Sequence, residues 1–444
     1  MLLTEKDARA ITDKLLSFVK ADDASVSVNS EQLSHLRFAV NNFQTSGVRD
    51  SRGASVTVWI EGRRGAASTS DTDDASLREA VEGAEQIARL APVDREYLPT
   101  LGPQIYQPVP NGYVEATANI SPAARAKAIG EILGQSERAN VVSAGFHQAR
   151  TQAGAFATKR GNYAYERKTV VGLSVTSRTP DGASSGYFGR NHFDVARLDT
   201  LRIAREAIRK ALEGRGARAL DSGAYTVVLE PQAVADLLDS LTFDARSAEE
   251  GRSPYSVPGG KTRVGERIFD PRINIYSDPW HPELPASQSA QAGIPAQRIY
   301  LVRNGALENL TYSRFWAKQR TKEPTPGPVN FILETSAGRA STEEMIRSTR
   351  RGLLISRFWY IRSTDPRTAS LTGLTRDGVW YIEGGKIQYP VKNFRFNQSI
   401  IGMLAPGNVE MIGAAERVGD SEGATLLPAL KLKAFNFTSQ SEAV

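Results

Sequence analysis

Apolar positions along the chain switch between two periods, and the switches mark its organisation. Residues 4–20 carry apolar side chains at helical spacing. "ASVSVNSE", "HLRFAVNNFQ" and "ASVTVWIEGRRGAAS" then alternate with period two, as half-buried strands do. "DDASLREAVEGAEQIARL" (73–90) opens on Asp and Ser cap candidates and continues as an amphipathic helix. Residues 91–112 hold five prolines and little periodicity, which predicts a linker or an extended crossing segment.

The pattern then restarts. Ser121 as N-cap and Pro122 at the first helical position predict a helix over 121–138. Strand-like runs follow, and 194–216 closes as a long helix. Each block runs helix, strands, helix, a repeat of architecture rather than of letters. From "AYTVVLE" (224–230) the texture changes. One clear helix precedes many short alternating runs, with hairpin signals at Asn304-Gly305 and Gly384-Gly385. The expected fold class is α+β: two similar helix–strands–helix units, 1–112 and 113–221, then a β-rich barrel- or sandwich-like domain over 222–444.

Composition narrows the chemistry. With 444 residues, 40% apolar and 23% charged, the chain can bury several cores. No apolar run approaches the ~20 residues of a membrane span. No apolar segment follows a basic start, so a cytoplasmic protein without a membrane partner is expected. Without cysteine there is no disulfide, thiol nucleophile or Cys-ligated metal. His35, His147, His192 and His281 lie far apart, which excludes a local His-x-x-His-type site. The net charge of +6 is modest for this length, and no Lys/Arg run stands out. The most basic stretch is 347–362, where Arg347, Arg350, Arg351, Arg357 and Arg362 interleave with Phe358, Trp359 and Tyr360, which could stack on bases. The plainer reading there is a buried strand with arginines at its ends and edges.

Four local stretches fail on their context. "GDSEG" (419–423) has the Gly-x-Ser-x-Gly form around Ser421, but no histidine follows His281 to act as base. "PGGKT" (258–262) has Tyr255 where a phosphate loop needs glycine. "NHFD" and "DPWHPEL" each set one histidine near a carboxylate, which predicts a satisfied histidine.

"EPQAVADLLDSLTFDARS" (230–247) is more informative. Val234, Leu237, Leu238 and Leu241 form one helix stripe, and Pro231 suits the first turn. Asp239 and Asp244 follow, five residues apart. On a straight helix they point about 140° apart and face one ion only if the helix ends or widens between them. Solvated carboxylates and the remains of a metal site are both open.

Four stretches resemble the TldD/PmbA family, metallopeptidases once called modulators of DNA gyrase. "YTVVLEPQAVADLLDSLTFDARS" is similar to the segment that enters the family's metal-binding helix, and "ASTEEMIRSTRRGLLISRFWYIR" to the segment before its active-site strands. "DGVWYIEGGKIQYPVKNFRF" resembles its Gly-Lys-Ile and Pro-Val-Lys hairpin, and "GDSEGATLLPALK" its terminal Gly-Leu-Pro region. In the catalytic branch, His-Glu-x-x-x-His supplies two zinc ligands and a base, and a later cysteine completes the site. Laid on this chain without gaps, those positions are Asp239, Ser240, Asp244 and, for the cysteine, about Gly419. A zinc peptidase needs three protein ligands and an open position, and a serine cannot replace the carboxylate base. The resemblance therefore implies no catalytic residue and no zinc in this chain, with Asp239 and Asp244 at most weak candidates for Mg²⁺ or Ca²⁺.

That pattern resembles the family's TldE/PmbA-type branch, which lacks the motif and pairs with a zinc-bearing TldD-type subunit. The implied role is a non-catalytic subunit of a cytoplasmic metalloprotease complex. Its partner would be a TldD-like subunit in a heterodimer, or a second copy in its absence. Unfolded or precursor peptide would enter as an added strand, with Arg350, Arg351 and Arg357 as candidate substrate-binding groups. The alternative is a hydrolase in its own right using an Asp-based metal. Nucleic-acid binding is the minor reading.

Overall fold

The structure is a computed structural model that describes residues 2–110, 112–420 and 423–441. Helix α1 (Glu5–Phe18) starts at a capping box between Thr4 and Asp7 and buries Ala8 and Leu15. Strands β1 (Asp23–Ala39), β2 (Asn42–Ile60) and β3 (Arg63–Thr69) follow, then helix α2 (Asp74–Leu90), where the Asp73 carboxylate accepts from the Ala75 and Ser76 N–H groups. After the short helix α3 (Glu115–Ala118), the second unit repeats this order. It comprises α4 (Pro122–Arg138), capped by Ser121, then β4 (Val142–Thr158), β5 (Tyr163–Arg178), β6 (Ser185–His192) and α5 (Thr200–Glu213). The helix expected over 194–216 begins only at Thr200. Asp199 caps it there, and Val195–Arg197 forms a separate 3-10 turn under Asp194.

The two units share one sheet. Its order is β3-β2-β1-β4-β5-β6, with β1 and β4 antiparallel at the seam from Ser25↔Thr158 to Phe38↔Gly145. Each unit thus begins at the centre and steps outward. Val26 and Val28 of β1 pack with α1 and α2, while Leu36 and Phe38, on the same face of β1, pack with α4 and α5. All four long helices therefore cover one face, and the other is left for the C-terminal half. The proline-rich segment 91–112 is an extended crossing segment tied along its middle. Thr100 binds Asp23 through its N–H (2.6 Å), and the Tyr106 hydroxyl donates to the Gly293 carbonyl (2.6 Å).

The C-terminal half contains strands β7 (Gly223–Leu229), β8 (Ser256–Val257), β9 (Lys261–Thr262), β10 (Ile273–Ser277), β11 (Ile299–Arg303), β12 (Ala306–Leu307), β13 (Ile332–Thr335), β14 (Arg351–Asp365), β15 (Ser370–Glu383), β16 (Lys386–Pro390), β17 (Phe394–Ser399), β18 (Val409–Val418) and β19 (Thr425–Gln440). Strands β19-β17-β15-β14-β7 run side by side, and β7 pairs back onto β19, closing a barrel. Phe358, Phe396, Phe435 and Phe437 fill it, with the Phe358 and Phe396 rings 4.8 Å apart. Both hairpin signals hold. Asn304 and Gly305 turn at φ of 49° and 76° between β11 and β12, and Gly384 and Gly385 at 57° and 76° between β15 and β16. The fold is α+β throughout, and no described helix is long and apolar enough to cross a membrane.

Candidate functional site

Strand β7 runs into helix α6 (Pro231–Leu238) at Glu230. Glu230 makes no cap bond; its carboxylate takes the Lys210 ammonium (2.5 Å) and the Ser356 hydroxyl (3.2 Å). The predicted stripe of Val234, Leu237, Leu238 and Leu241 is buried. The helix stops at Leu238, and the Ser240 hydroxyl donates back to the Leu237 carbonyl (3.3 Å). Leu241 and Phe243 then turn into the core, and helix α7 (Ala245–Glu249) begins. Asp239 and Asp244 therefore sit on two helices: the first is the exposed C-cap of α6, the second the N-cap of α7. The Asp244 carboxylate accepts from the Ser247 N–H (2.7 Å), so it is committed to the cap.

A cleft of about 540 Å³ lies beside α6. Asp236 and Asp239 line one wall, Arg357 to Ile361 another, and Gly419, Gly423 and Ala424 a third. Of the four positions aligned with the metal motif, only Asp239 and Gly419 line it; Ser240 and Asp244 do not. Gly419 has φ of 147°, and a Cβ placed on it would lie 2.1 Å from the Gly423 carbonyl oxygen. The Asn191 amide holds that carbonyl at 2.8 Å. The backbone thus closes this position to any side chain, a thiol included. Among the described residues no three His, Asp or Glu side chains gather as a metal site would need. This donor set does not fit a zinc peptidase centre, which needs three ligands.

Asp236 was not singled out from the sequence. It accepts from the Phe358 N–H (2.8 Å) and the Gln232 amide (2.8 Å). Burial raises its pKa to about 6, and the nearby Arg357 guanidinium only partly offsets this. The available signal was its spacing from Asp239, since i and i+3 lie about 60° apart on one polar helix face.

Arg357 borders the cleft, but its charge is used behind it. Its guanidinium lies 3.5 Å from the buried Asp377 carboxylate and 3.9 Å from the Tyr187 ring centre. Asp377 also accepts from the Ser185 hydroxyl (2.6 Å), and the Tyr187 hydroxyl donates to Asp420 (2.6 Å). Burial and the Asp420 charge push the Tyr187 pKa well up, so the phenol keeps its proton. Strand β6 is fastened to the barrel here. Arg350 and Arg351 stand exposed at the other end of β14 and do not line the cleft. Arg351 lies near Tyr225 and Tyr381 instead. His192 and His281 each accept a backbone N–H through Nδ1, from Asp194 (2.9 Å) and Glu283 (3.3 Å). Ser421 of the Gly-x-Ser-x-Gly stretch lies outside the described residues.

Three family models match the chain: PmbA/TldA metallopeptidase domain 1 over 24–88, the central domain over 115–215 and the C-terminal domain over 222–439. A protein from Methanothermobacter thermautotrophicus described as a metalloprotease is 24% identical over 285 residues, 60% of this chain. The match spans 61% of that relative's length. Among solved structures, TldE from Thermococcus kodakarensis superposes with a TM-score of 0.85 at 18% identity, covering 97% of this chain and 99% of that one. Putative modulators of DNA gyrase from Thermotoga maritima and Bacteroides thetaiotaomicron give TM-scores of 0.83 and 0.84 at 17% and 18% identity. They cover 97% and 99% of this chain and all of their own. At these identities the likeness concerns the fold.

Proposed function

The chain belongs to the PmbA/TldD metallopeptidase family, and from that premise we propose that it is a non-catalytic, TldE-type subunit of a cytoplasmic metalloprotease complex. It holds unfolded or precursor peptide for a zinc-bearing TldD-like partner and carries no zinc itself. The observation that carries this reading is Gly419, whose conformation and contact with Gly423 leave no room for a ligand side chain. Asp239 on one helix end and Asp244 spent on another cap support it.

Association has a suitable surface. Residues 42–51 of β2 have no strand on their outer side among the described residues, since β3 pairs only from Ala54 onward. Phe43 and Val48 are exposed there. Such an edge is a template for pairing with another chain, either the partner subunit or a second copy.

The test uses the purified full-length chain, alone and mixed with a histidine-bearing homologue from the same cell. Alone, it should contain no stoichiometric zinc by elemental analysis and cleave no unfolded peptide. The mixture should form a complex and cleave. Cleavage by the isolated chain that needs Mg²⁺ or Mn²⁺ and disappears in Asp239→Ala would instead establish a hydrolase in its own right.

A further inference from the structure

The cleft shares Gly423 and Ala424 with a second cavity of about 630 Å³. One wall is the helix-free face of β4 and β5; another is the loop 284–288 with Val329 and Asn330. Four cations line it, Arg150, Arg167, Lys168 and Arg417, against one described carboxylate, Glu166. Their engagements differ. Arg150 is paired with Glu31 at 3.2 Å, and Arg167 stacks over the Tyr113 ring at 3.9 Å. Glu166 accepts from the Ser287 hydroxyl (2.7 Å).

Arg417 is held differently. Its Nε donates to the Asn191 carbonyl (2.9 Å) and side-chain oxygen (3.1 Å), and a terminal nitrogen donates to the Glu283 carbonyl (2.7 Å). These neutral acceptors fix the guanidinium, and the Glu283 carboxylate near it is shared with Arg197 at 3.1 Å. Burial lowers its pKa to about 10, which leaves it a cation. Lys168 is exposed, and its ammonium has no partner among the described residues. Lys168, and Arg417 whose acidic neighbour Glu283 is shared with Arg197, therefore face one partly enclosed space, where their field is focused.

We propose that this cavity receives a carboxylate of the bound peptide, so that the chain selects acidic segments over neutral ones. This rests on the peptide-holding reading above and names its substrate class. The space admits a few residues of extended chain and not a nucleic-acid duplex. The carboxylate has two sources, an Asp or Glu side chain and a free C-terminus.

Fluorescence anisotropy of the full-length chain with three labelled peptides of one length separates them: a Glu-containing peptide with an amidated C-terminus, its Gln counterpart, also amidated, and the Gln counterpart with a free C-terminus. The Glu peptide should bind about tenfold more tightly than the Gln amide. A matching gain for the free-acid Gln peptide identifies the terminus as a source too. Lys168→Glu, at an exposed position, should bring the carboxylate preference close to one. Lys127→Glu, exposed on α4 across the sheet, should leave it intact. Equal binding of all three peptides, or a preference unchanged in Lys168→Glu, overturns the proposal and leaves the peptide-holding reading standing. Binding of none of the three overturns both.

Discussion

Two adjoining spaces in this molecule have been built in opposite ways. In the cleft at α6, two of the charged groups that face the space, Asp236 and Arg357, are also tied to backbone or to buried partners, and Asp239 is left exposed. Asp236 receives two N–H groups, and Arg357 is paired with Asp377. In the neighbouring cavity, Lys168 has no partner among the described residues, and Arg417 is fixed by neutral oxygens while its acidic neighbour Glu283 is shared with Arg197. The first arrangement serves the fold and the second leaves attraction directed at whatever enters. Groups tied in the first way carry stability, so substitutions at Gly419, Asp236 and Asp377 should read out chiefly as folding energy.

The largest effect is expected at Gly419. Gly419→Cys would install the thiol that the family motif places there, but the added Cβ meets the Gly423 carbonyl and the φ is one that side chains resist. A loss on the order of 4 kcal/mol is expected, read as a lowered urea midpoint, with no zinc gained. A Gly419→Cys chain of unchanged stability would mean that the loop yields easily, and the cleft would no longer count as closed.

Asp377→Asn should come next. The partly buried Arg357 would lose the carboxylate it pairs with, and the Ser185 hydroxyl its charged acceptor. Breaking a buried pair from one side costs about 3 kcal/mol. Because Ser185 lies in β6, the loss should appear as earlier proteolysis between the sheet and the barrel as well as a lower midpoint.

Asp236 gives a smaller, pH-dependent effect. The folded carboxyl keeps its proton up to about pH 6, whereas the unfolded one releases it near its ordinary value of about 4. Between those values the folded state binds more protons, so stability falls as pH rises and stays lower above pH 6. Asp236→Asn removes that slope. The variant should gain on the parent by about 2 kcal/mol between pH 4 and pH 8, measured as the difference in unfolding free energy. A parent chain whose stability is flat over that range would show that Asp236 is well solvated.

What could be read in the sequence was local. The stripe of α6 and the turns at Asn304-Gly305 and Gly384-Gly385 are written in consecutive residues, and all appear as expected. The closure of the barrel depends on β7 meeting β19, pairs such as Gly223↔Phe437 that no local period encodes. The joining of two units into one sheet through β1 and β4 is equally nonlocal. The same limit applies to chemistry. Asp239 was visible from its place after the α6 stripe, five residues before Asp244, and from the family motif that falls on both, but Lys168 and Arg417 meet only in the fold. Arg350, Arg351 and Arg357 are close in sequence, yet β14 carries Arg357 about 20 Å beyond Arg351 at ~3.3 Å per residue, and only Arg357 reaches the cleft.

The smallest effect is expected at Asp239, and it bears most directly on the comparison. Asp239 faces the cleft, is exposed and caps α6 with its backbone only. A carboxylate at a helix C-terminus also meets the negative end of the helix dipole, which is mildly unfavourable. Asp239→Ala should therefore change stability by less than about 0.5 kcal/mol, with a slight gain as the expected sign. It should leave peptide affinity and the carboxylate preference of the neighbouring cavity unchanged, because that preference rests on Lys168 and Arg417. Added Mg²⁺ or Ca²⁺ should raise the melting temperature of parent and variant equally. A cation that stabilised the parent and not Asp239→Ala would show that the cleft still binds an ion, and the contrast between the two spaces would fail at its first term.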